Sequence, residues 1–116
     1  MRFIFLVKSN PGNEADGPPA EGLIEAMDAY NQALKDAGIF VTAEGYDGTS
    51  RGAVVREDGG KQVVTKGPFG EPYQLVAGTT TVDVKDLDAA IGWATKMPNI
   101  GGKGTRHEVE IRPLFG

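Results

Sequence analysis

The residues best suited to acid–base chemistry are Glu71 and His107. Glu71 belongs to a stiff loop, Thr65–Pro72, in which two prolines fix two backbone φ angles, so its carboxylate could act as a general base or anchor a ligand. The alternative is a loop carboxylate that accepts hydrogen bonds from nearby backbone N–H groups. His107 is the only histidine, so any imidazole acid–base role falls to it; the alternative is a histidine at the start of a strand that the fold partly covers. We therefore predict Glu71 and His107 as catalytic candidates.

Three further side chains are predicted to contact a ligand. Lys66, on the same loop, could bind an anionic group or pair with Glu71, and the alternative is a solvated lysine. Phe69 could form one wall of a ligand site, or it could plug the core or an interface. Glu44 adds a carboxylate from a predicted strand. Because rigid loops often carry binding groups, the loop is where we expect a site.

Two more carboxylates, Glu108 and Glu110, lie two residues apart and share one face of a predicted strand. Buried together they would raise each other's pKa, but Arg106 and Arg112 on the same face predict ion pairs instead. One histidine, no cysteine and no EF-hand spacing give no reason to expect a metal site, and no cofactor motif is evident.

The composition limits the class of protein. A chain of 116 residues predicts one domain, residues 1–116, and the absence of cysteine excludes disulfides and thiol nucleophiles. The net charge of −4 argues against nucleic acid as a partner. No apolar stretch has the length of a membrane span, and the N-terminus lacks the features of a signal peptide, so we expect a cytoplasmic protein.

The elements that would position these residues follow from periodicity. A strand is predicted over residues 2–8, with apolar side chains on both faces, and a polar loop over residues 9–19. A helix is predicted to start just after Pro19 and to end before Gly38. The apolar stripe of this helix consists of Leu23, Met27, Tyr30, Leu34 and Ala37.

The second half of the chain repeats this order after a hairpin. Strands are predicted over residues 39–46, 52–56, 61–65, 74–84 and 106–113. A second helix is predicted from Asp86, as N-cap, to Met97, and its expected buried face consists of Leu87, Ala90, Ile91 and Ala94.

The order β-α-β, hairpin, β-α-β predicts an α+β ferredoxin-like sandwich, an antiparallel sheet with two helices on one face. Because the first strand is apolar on both faces, something must cover the face without helices. A second copy of the chain is the commonest solution, so we predict a homodimer in which two sheets face each other, a dimeric α+β barrel.

The sequence resembles the YCII-related family, and within it the DGPF branch. The similar segments run from end to end: Met1–Lys8, Tyr30-Asn31, Ala37-Gly38, Glu44-Gly45, Arg51-Gly52-Ala53, Val64–Glu71, Ala77-Gly78, Met97-Pro98-Asn99 and Glu110–Phe115. The resemblance implies a dimeric α+β barrel of ferredoxin-like subunits. It gives no established biochemical function, although some members are fused to, or encoded beside, extracytoplasmic-function sigma factors.

Three departures limit what the resemblance implies about the site. Lys66 stands where the motif that names the branch has Asp, and Gln74 stands where many relatives have an acid. Classical YCII proteins resemble users of a His-Asp pair, but the first helix here contains no histidine, and the Asp would fall near Met97. That pair therefore does not carry over.

Three functions fit these observations. The first is a dimeric protein that binds a small organic molecule, or regulates through that binding, in a cavity between the sheet, the loop and a partner subunit. The second is a cofactor-free enzyme that transfers a proton on such a molecule, with Glu71 or His107 as base and Lys66 as a cationic stabiliser. The third is an interaction module linked to sigma-factor regulation.

Overall fold

The sheet at the centre of the fold has four antiparallel strands. The computed structural model describes residues 1–14 and 18–116. Six strands run over Arg2–Lys8 (β1), Phe40–Gly45 (β2), Ala53–Asp58 (β3), Lys61–Lys66 (β4), Val76–Asp83 (β5) and Val109–Pro113 (β6), and three helices over Pro11–Glu14 (α1), Leu23–Asp36 (α2) and Leu87–Ala94 (α3). The sheet order is β2-β5-β1-β6, with β3 and β4 pairing separately as a hairpin. This is the ferredoxin-like order, so the predicted fold class is confirmed.

The core lies between one sheet face and the helices. Phe3, Phe5 and Val7 alternate along β1 and are all buried, as their spacing predicts. Tyr30 of α2 is buried among them and donates its hydroxyl to the carbonyl oxygen of Trp93 at 2.8 Å, which ties α2 to α3. Burial raises the pKa of Tyr30 to about 12, so this hydroxyl stays a hydrogen-bond donor.

The opposite sheet face has no helix over it among the described residues. Ile4 and Leu6 lie there half-buried, flanked by a row of charges. The Lys8 ammonium lies 3.2 Å from the Glu110 carboxylate, which also lies 3.2 Å from the Arg112 guanidinium. Apolar side chains therefore occupy the middle of a face whose edge is charged.

The hairpin β3–β4 extends from this sheet. Nearly all of its residues are exposed, including three valines, Val55, Val63 and Val64. The radius of gyration is 15.7 Å, whereas a compact domain of this length has about 13 Å. The hairpin thus adds an arm to the compact part of the chain.

Several predicted boundaries were wrong. The predicted loop 9–19 contains the short helix Pro11–Glu14, and its residues 15–17 lie outside the described part of the chain. The second helix ends at Ala94 rather than Met97, because the residue before Pro98 is disfavoured in a helix and the chain tightens into i→i+3 hydrogen bonds. Asp86 does cap it, accepting from the Ala89 N–H.

The last strand is three residues shorter than predicted. It begins at Val109 instead of Arg106 because its only neighbour in the sheet is β1, whose regular register ends at the Val7–Val109 pair. His107 therefore precedes the strand and does not lie within it.

The helix faces also differ in part. Tyr30 and Leu34 of α2 are buried as predicted, but Ala37 is exposed. On α3 the buried side is centred on Ala90, while Leu87 and Ile91 are 48% and 41% exposed.

Candidate functional site

A cavity of about 300 Å³, here called the Asn31 cavity, lies between α2 and the sheet. It lies within a single chain, on the helix side of the sheet. Its walls are formed by Val7, Asn13, Leu23, Met27, Asn31, residues 43–46, residues 77–80 and Ile100. This volume is at the lower end of the range for sites that bind small molecules.

Short residues beneath α2 create this space. Ala43 and Gly45 on β2 face Thr80 and Gly78 on β5. A Cβ added at Gly78 would lie 2.8 Å from the Glu44 carbonyl oxygen, so the two strands approach closely only because this residue has no side chain. Leu23 and Met27 of α2 lie above these short residues. Both are only half-buried, because the cavity takes the place of a large side chain that would otherwise pack against them.

Asn31, which lines this cavity, has an unpaired polar atom. Its Oδ1 is shielded from water and has no hydrogen-bond partner among the described residues. A buried acceptor left unpaired costs roughly 1–3 kcal/mol. The sequence carries a signal that was missed: Asn31 follows Met27 by four residues and precedes Leu34 by three, so it is an amide within the apolar stripe of α2.

A second cavity of about 490 Å³, here called the Asn10 cavity, adjoins the first. The two share four lining residues, namely Asn13, Leu23, Tyr46 and Ile100. Asn10 and Gly101 line it, together with Asp47 and Arg51, which form an ion pair at 3.0 Å.

The Thr65–Pro72 loop is fastened to the 3₁₀ helix Thr49–Arg51. The Phe69 N–H donates to Thr49 Oγ1 at 3.2 Å, and Thr49 bonds in turn to the Glu14 carboxylate through its N–H, at 3.1 Å, and its hydroxyl. A Cβ added at Gly67 would lie 1.6 Å from the Thr49 carbonyl oxygen. The Gly67–Pro68 peptide is cis. These contacts pack the loop closely against the 3₁₀ helix.

The structure does not bring the five predicted site residues together. Glu44 belongs to the strand wall of the Asn31 cavity, but alternation along β2 directs its exposed side chain to the opposite, open sheet face. Glu71 and Lys66 are exposed, and the ion pairs of the described residues do not join them. Phe69 is half-buried, with its ring beside Gly52, and lines neither cavity.

His107 is the most unusual of the five. Both of its ring nitrogens are shielded from water, and neither has a hydrogen-bond partner in the described part of the chain. Burial lowers the pKa of His107, because an imidazolium there would lose its hydration. It lines neither cavity. The catalytic roles of Glu71 and His107 stay predictions.

The ion pairs predicted near the last strand are confirmed. Arg106 lies 3.4 Å from Glu108, and Arg112 lies 3.2 Å from Glu110. Hydrogen bonds from Lys8, and then from Arg112, lower the pKa of Glu110. Glu108 and Glu110 therefore form ion pairs at the open sheet face, and neither of them lines a cavity.

The described residues offer neither a metal site nor a membrane-spanning helix. Over residues 1–14 and 18–116, no three His, Cys, Asp or Glu side chains are grouped so as to hold a metal ion. None of the helices in these ranges is both long and apolar enough to span a bilayer.

The sequence matches the model of a known protein family. The model of the YCII-related domain family matches residues 1–114, nearly the whole chain. No curated protein matches the sequence.

Proposed function

The chain belongs to the YCII-related domain family, and on this premise we propose that it is a homodimer that binds a small organic molecule in the Asn31 cavity. The observation that supports this most is the unpaired Asn31 Oδ1. A buried acceptor without a partner costs stability, and an apolar side chain at the same position would not carry this cost. An amide at this position therefore has a reason other than stability, and a ligand that donates to it supplies one.

The walls of the cavity indicate the kind of molecule. Val7, Leu23 and Met27 offer an apolar surface, so the body of the ligand is apolar. A hydroxyl or N–H group on that body would satisfy Asn31 Oδ1, once the amide turns toward the cavity it lines. None of the described residues that line this cavity is cationic, which disfavours anions.

Two features support the dimer. Ile4 and Leu6 are half-buried on a sheet face that no described element covers, and a second sheet would bury them. The hairpin arm exposes three valines that a single chain leaves in water. A closed two-fold pair would cover both surfaces at once.

Binding is favoured over the enzymatic alternative by the placement of the candidate groups. The proposed bases Glu71 and His107, and the cation Lys66, line neither cavity. Membership of the DGPF branch and a cytoplasmic location are further parts of this proposal. The first depends on the loop residues 64–71, and the second on a sequence without cysteine, which fits a reducing compartment.

A thermal-shift screen tests the proposal. Small neutral, aromatic and anionic compounds are added to the wild type and to Asn31→Leu. A ligand at a hundred times its Kd stabilises the fold by about 2.7 kcal/mol, which raises the Tm of a chain of this size by roughly 10 °C. We expect neutral apolar donors to give such shifts in the wild type only.

The variants separate loss of binding from loss of folding. Asn31→Leu is expected to have an unliganded Tm at least equal to that of the wild type, because it removes an unpaired oxygen. Gln32→Leu makes the same change on the exposed side of α2 and should keep the ligand-induced shift. Equal ligand-induced shifts in Asn31→Leu and in the wild type would refute the proposal.

A further inference from the structure

We infer that the Asn10 cavity is the second half of the same binding site and that it receives a neutral oxygen acceptor, such as a carbonyl group, of the ligand. This inference rests on the proposed function of the Asn31 cavity. Since the two cavities share four lining residues, one molecule could occupy both.

Asn10 is the polar group that singles out this cavity. Its side chain is only 8% exposed. Its Oδ1 accepts from the Asn13 N–H at 3.0 Å, which caps the short helix α1 and determines which end of the amide is oxygen. Its Nδ2 is shielded from water and has no partner among the described residues. An amide donor thus lacks the acceptor it requires.

Gly101 keeps the space beside this donor clear. A Cβ added at Gly101 would lie 3.0 Å from Asn10 Nδ2 and 2.5 Å from Thr105 Oγ1. Both Asn10 and Gly101 line the cavity. A small shift of the amide would therefore expose its N–H group to a molecule in the cavity.

The two cavities have opposite hydrogen-bonding character. Asn31 presents an unpaired acceptor and Asn10 an unpaired donor. A ligand that satisfies both carries a donor at one end and an acceptor at the other, joined by an apolar body. Such a molecule removes two unpaired buried groups at once.

The charges around the cavities favour a neutral acceptor over a carboxylate. The Arg51 guanidinium in the Asn10 cavity is already paired with Asp47. No other arginine, lysine or histidine among the described residues lines either cavity, so a carboxylate would find no unpaired cation there.

Four matched probes test the inference by NMR titration of the full chain. Para-hydroxyacetophenone carries both groups, para-ethylphenol has the same shape without the acceptor, acetophenone lacks the donor, and para-hydroxybenzoate replaces the neutral acceptor by an anion. We expect para-hydroxyacetophenone to bind about 2- to 10-fold more tightly than para-ethylphenol, the value of one neutral hydrogen bond. The anion should bind more weakly than the ketone.

Asn10→Ser identifies the donor. A serine keeps an N-cap oxygen for the Asn13 N–H and removes the amide nitrogen. We expect the preference for the ketone over para-ethylphenol to disappear in this variant, with para-ethylphenol itself binding as in the wild type.

The outcomes distinguish this inference from the proposed function. If the wild type binds para-ethylphenol and the ketone equally, or if Asn10→Ser retains the preference, the inference is wrong, while binding in the Asn31 cavity stands. Tighter binding of para-hydroxybenzoate overturns the neutral acceptor. The comparison of probes on the wild type decides the matter even if Asn10→Ser does not fold. If none of the probes binds at millimolar concentration, the inference falls, and the screen with Asn31→Leu then judges the proposed function separately.

Discussion

Three side chains in the described part of the fold bury polar atoms without partners: Asn10, Asn31 and His107. Native proteins leave few such atoms unpaired, so each needs an explanation. The two asparagines line adjoining cavities, where a ligand can satisfy them. His107 lines neither cavity, so its unpaired nitrogens affect stability rather than binding.

Because of His107, we predict that the folded chain loses stability in mild acid. Its pKa is lowered in the folded chain, so the unfolded chain takes up a proton first as the pH falls. The neutral form contributes fully above about pH 6.5, the value in an unfolded chain, and this contribution is lost as the pH falls toward the lower, folded pKa. Denaturant unfolding of the wild type should therefore weaken below this pH more steeply than that of His107→Phe.

Two results would contradict this predicted pH dependence. Because this is the only histidine, its ring protons report one titration in an NMR spectrum. Identical pH profiles for the wild type and His107→Phe, or a ring that titrates at or above the ordinary value, would show that burial does not depress its pKa.

At the scale of single residues, the sequence predicted the ion pairs better than it predicted which residues line the cavities. The Arg112–Glu110 pair follows from alternation along one strand. The placement of Glu71 and Lys66 outside both cavities does not, because it depends on how the loop packs against a distant 3₁₀ helix. Asn31 could have been predicted, because its position in the helical period places its amide on the buried side of α2.

At the scale of elements, the Thr65–Pro72 loop holds parts of the fold together in this chain. Its backbone is bonded to the 3₁₀ helix Thr49–Arg51, which is bonded in turn to the end of α1 through Glu14. Gly67 is the point of closest approach. The residues of this loop therefore have a packing explanation that requires no chemistry on the loop.

Gly67→Ala should destabilise the fold. The added Cβ would meet the Thr49 carbonyl oxygen at 1.6 Å, and backbone rather than a flexible side chain must move. Overpacking of this kind costs about 1–3 kcal/mol or more. Denaturant unfolding of the variant measures this loss.

Gly92→Ala is the matched control. This glycine lies within α3, with no atom within 4 Å of an added Cβ. Alanine is a better helix former than glycine, so this change should stabilise the fold by about 0.5–1 kcal/mol. If Gly67→Ala is as stable as the wild type, the close contact between loop and 3₁₀ helix is refuted.

The elements themselves were predicted unevenly, for physical reasons. The long helix α2 follows from its 3.6-residue period and the glycine after it. The length of the last strand was overestimated, because this length depends on where β1 leaves the sheet and not on the alternation within the last strand. The short helix α1 was missed in a segment dominated by turn-forming residues, although Asn10 is an ordinary N-cap residue.

For the whole molecule, the order of strands and helices was enough to predict the ferredoxin-like fold. Assembly is different, since a single chain shows only the surfaces that a partner would cover. Light scattering at micromolar concentration should give the mass of two chains. Leu6→Glu places a charge in the middle of the open sheet face and should give one chain, while Ile24→Glu, on the exposed side of α2, should remain dimeric.

A wild type that runs as a single chain at that concentration contradicts the dimer. The cavities belong to one chain, so this result would leave the binding proposal standing. Monomers in both variants would instead indicate that either charge disrupts association, and the open sheet face would lose its special role.

Methionine methyl NMR tests the central claim, binding in the Asn31 cavity, most directly. The chain has three methionines: Met27 lines the cavity, Met97 is buried in the core and Met1 is exposed. When a compound that raises the Tm is titrated into the methyl-labelled protein, we predict that the Met27 signal shifts in proportion to binding while the other two stay in place. A Met27 signal that does not move, with Met1 or Met97 shifting instead, would contradict the account.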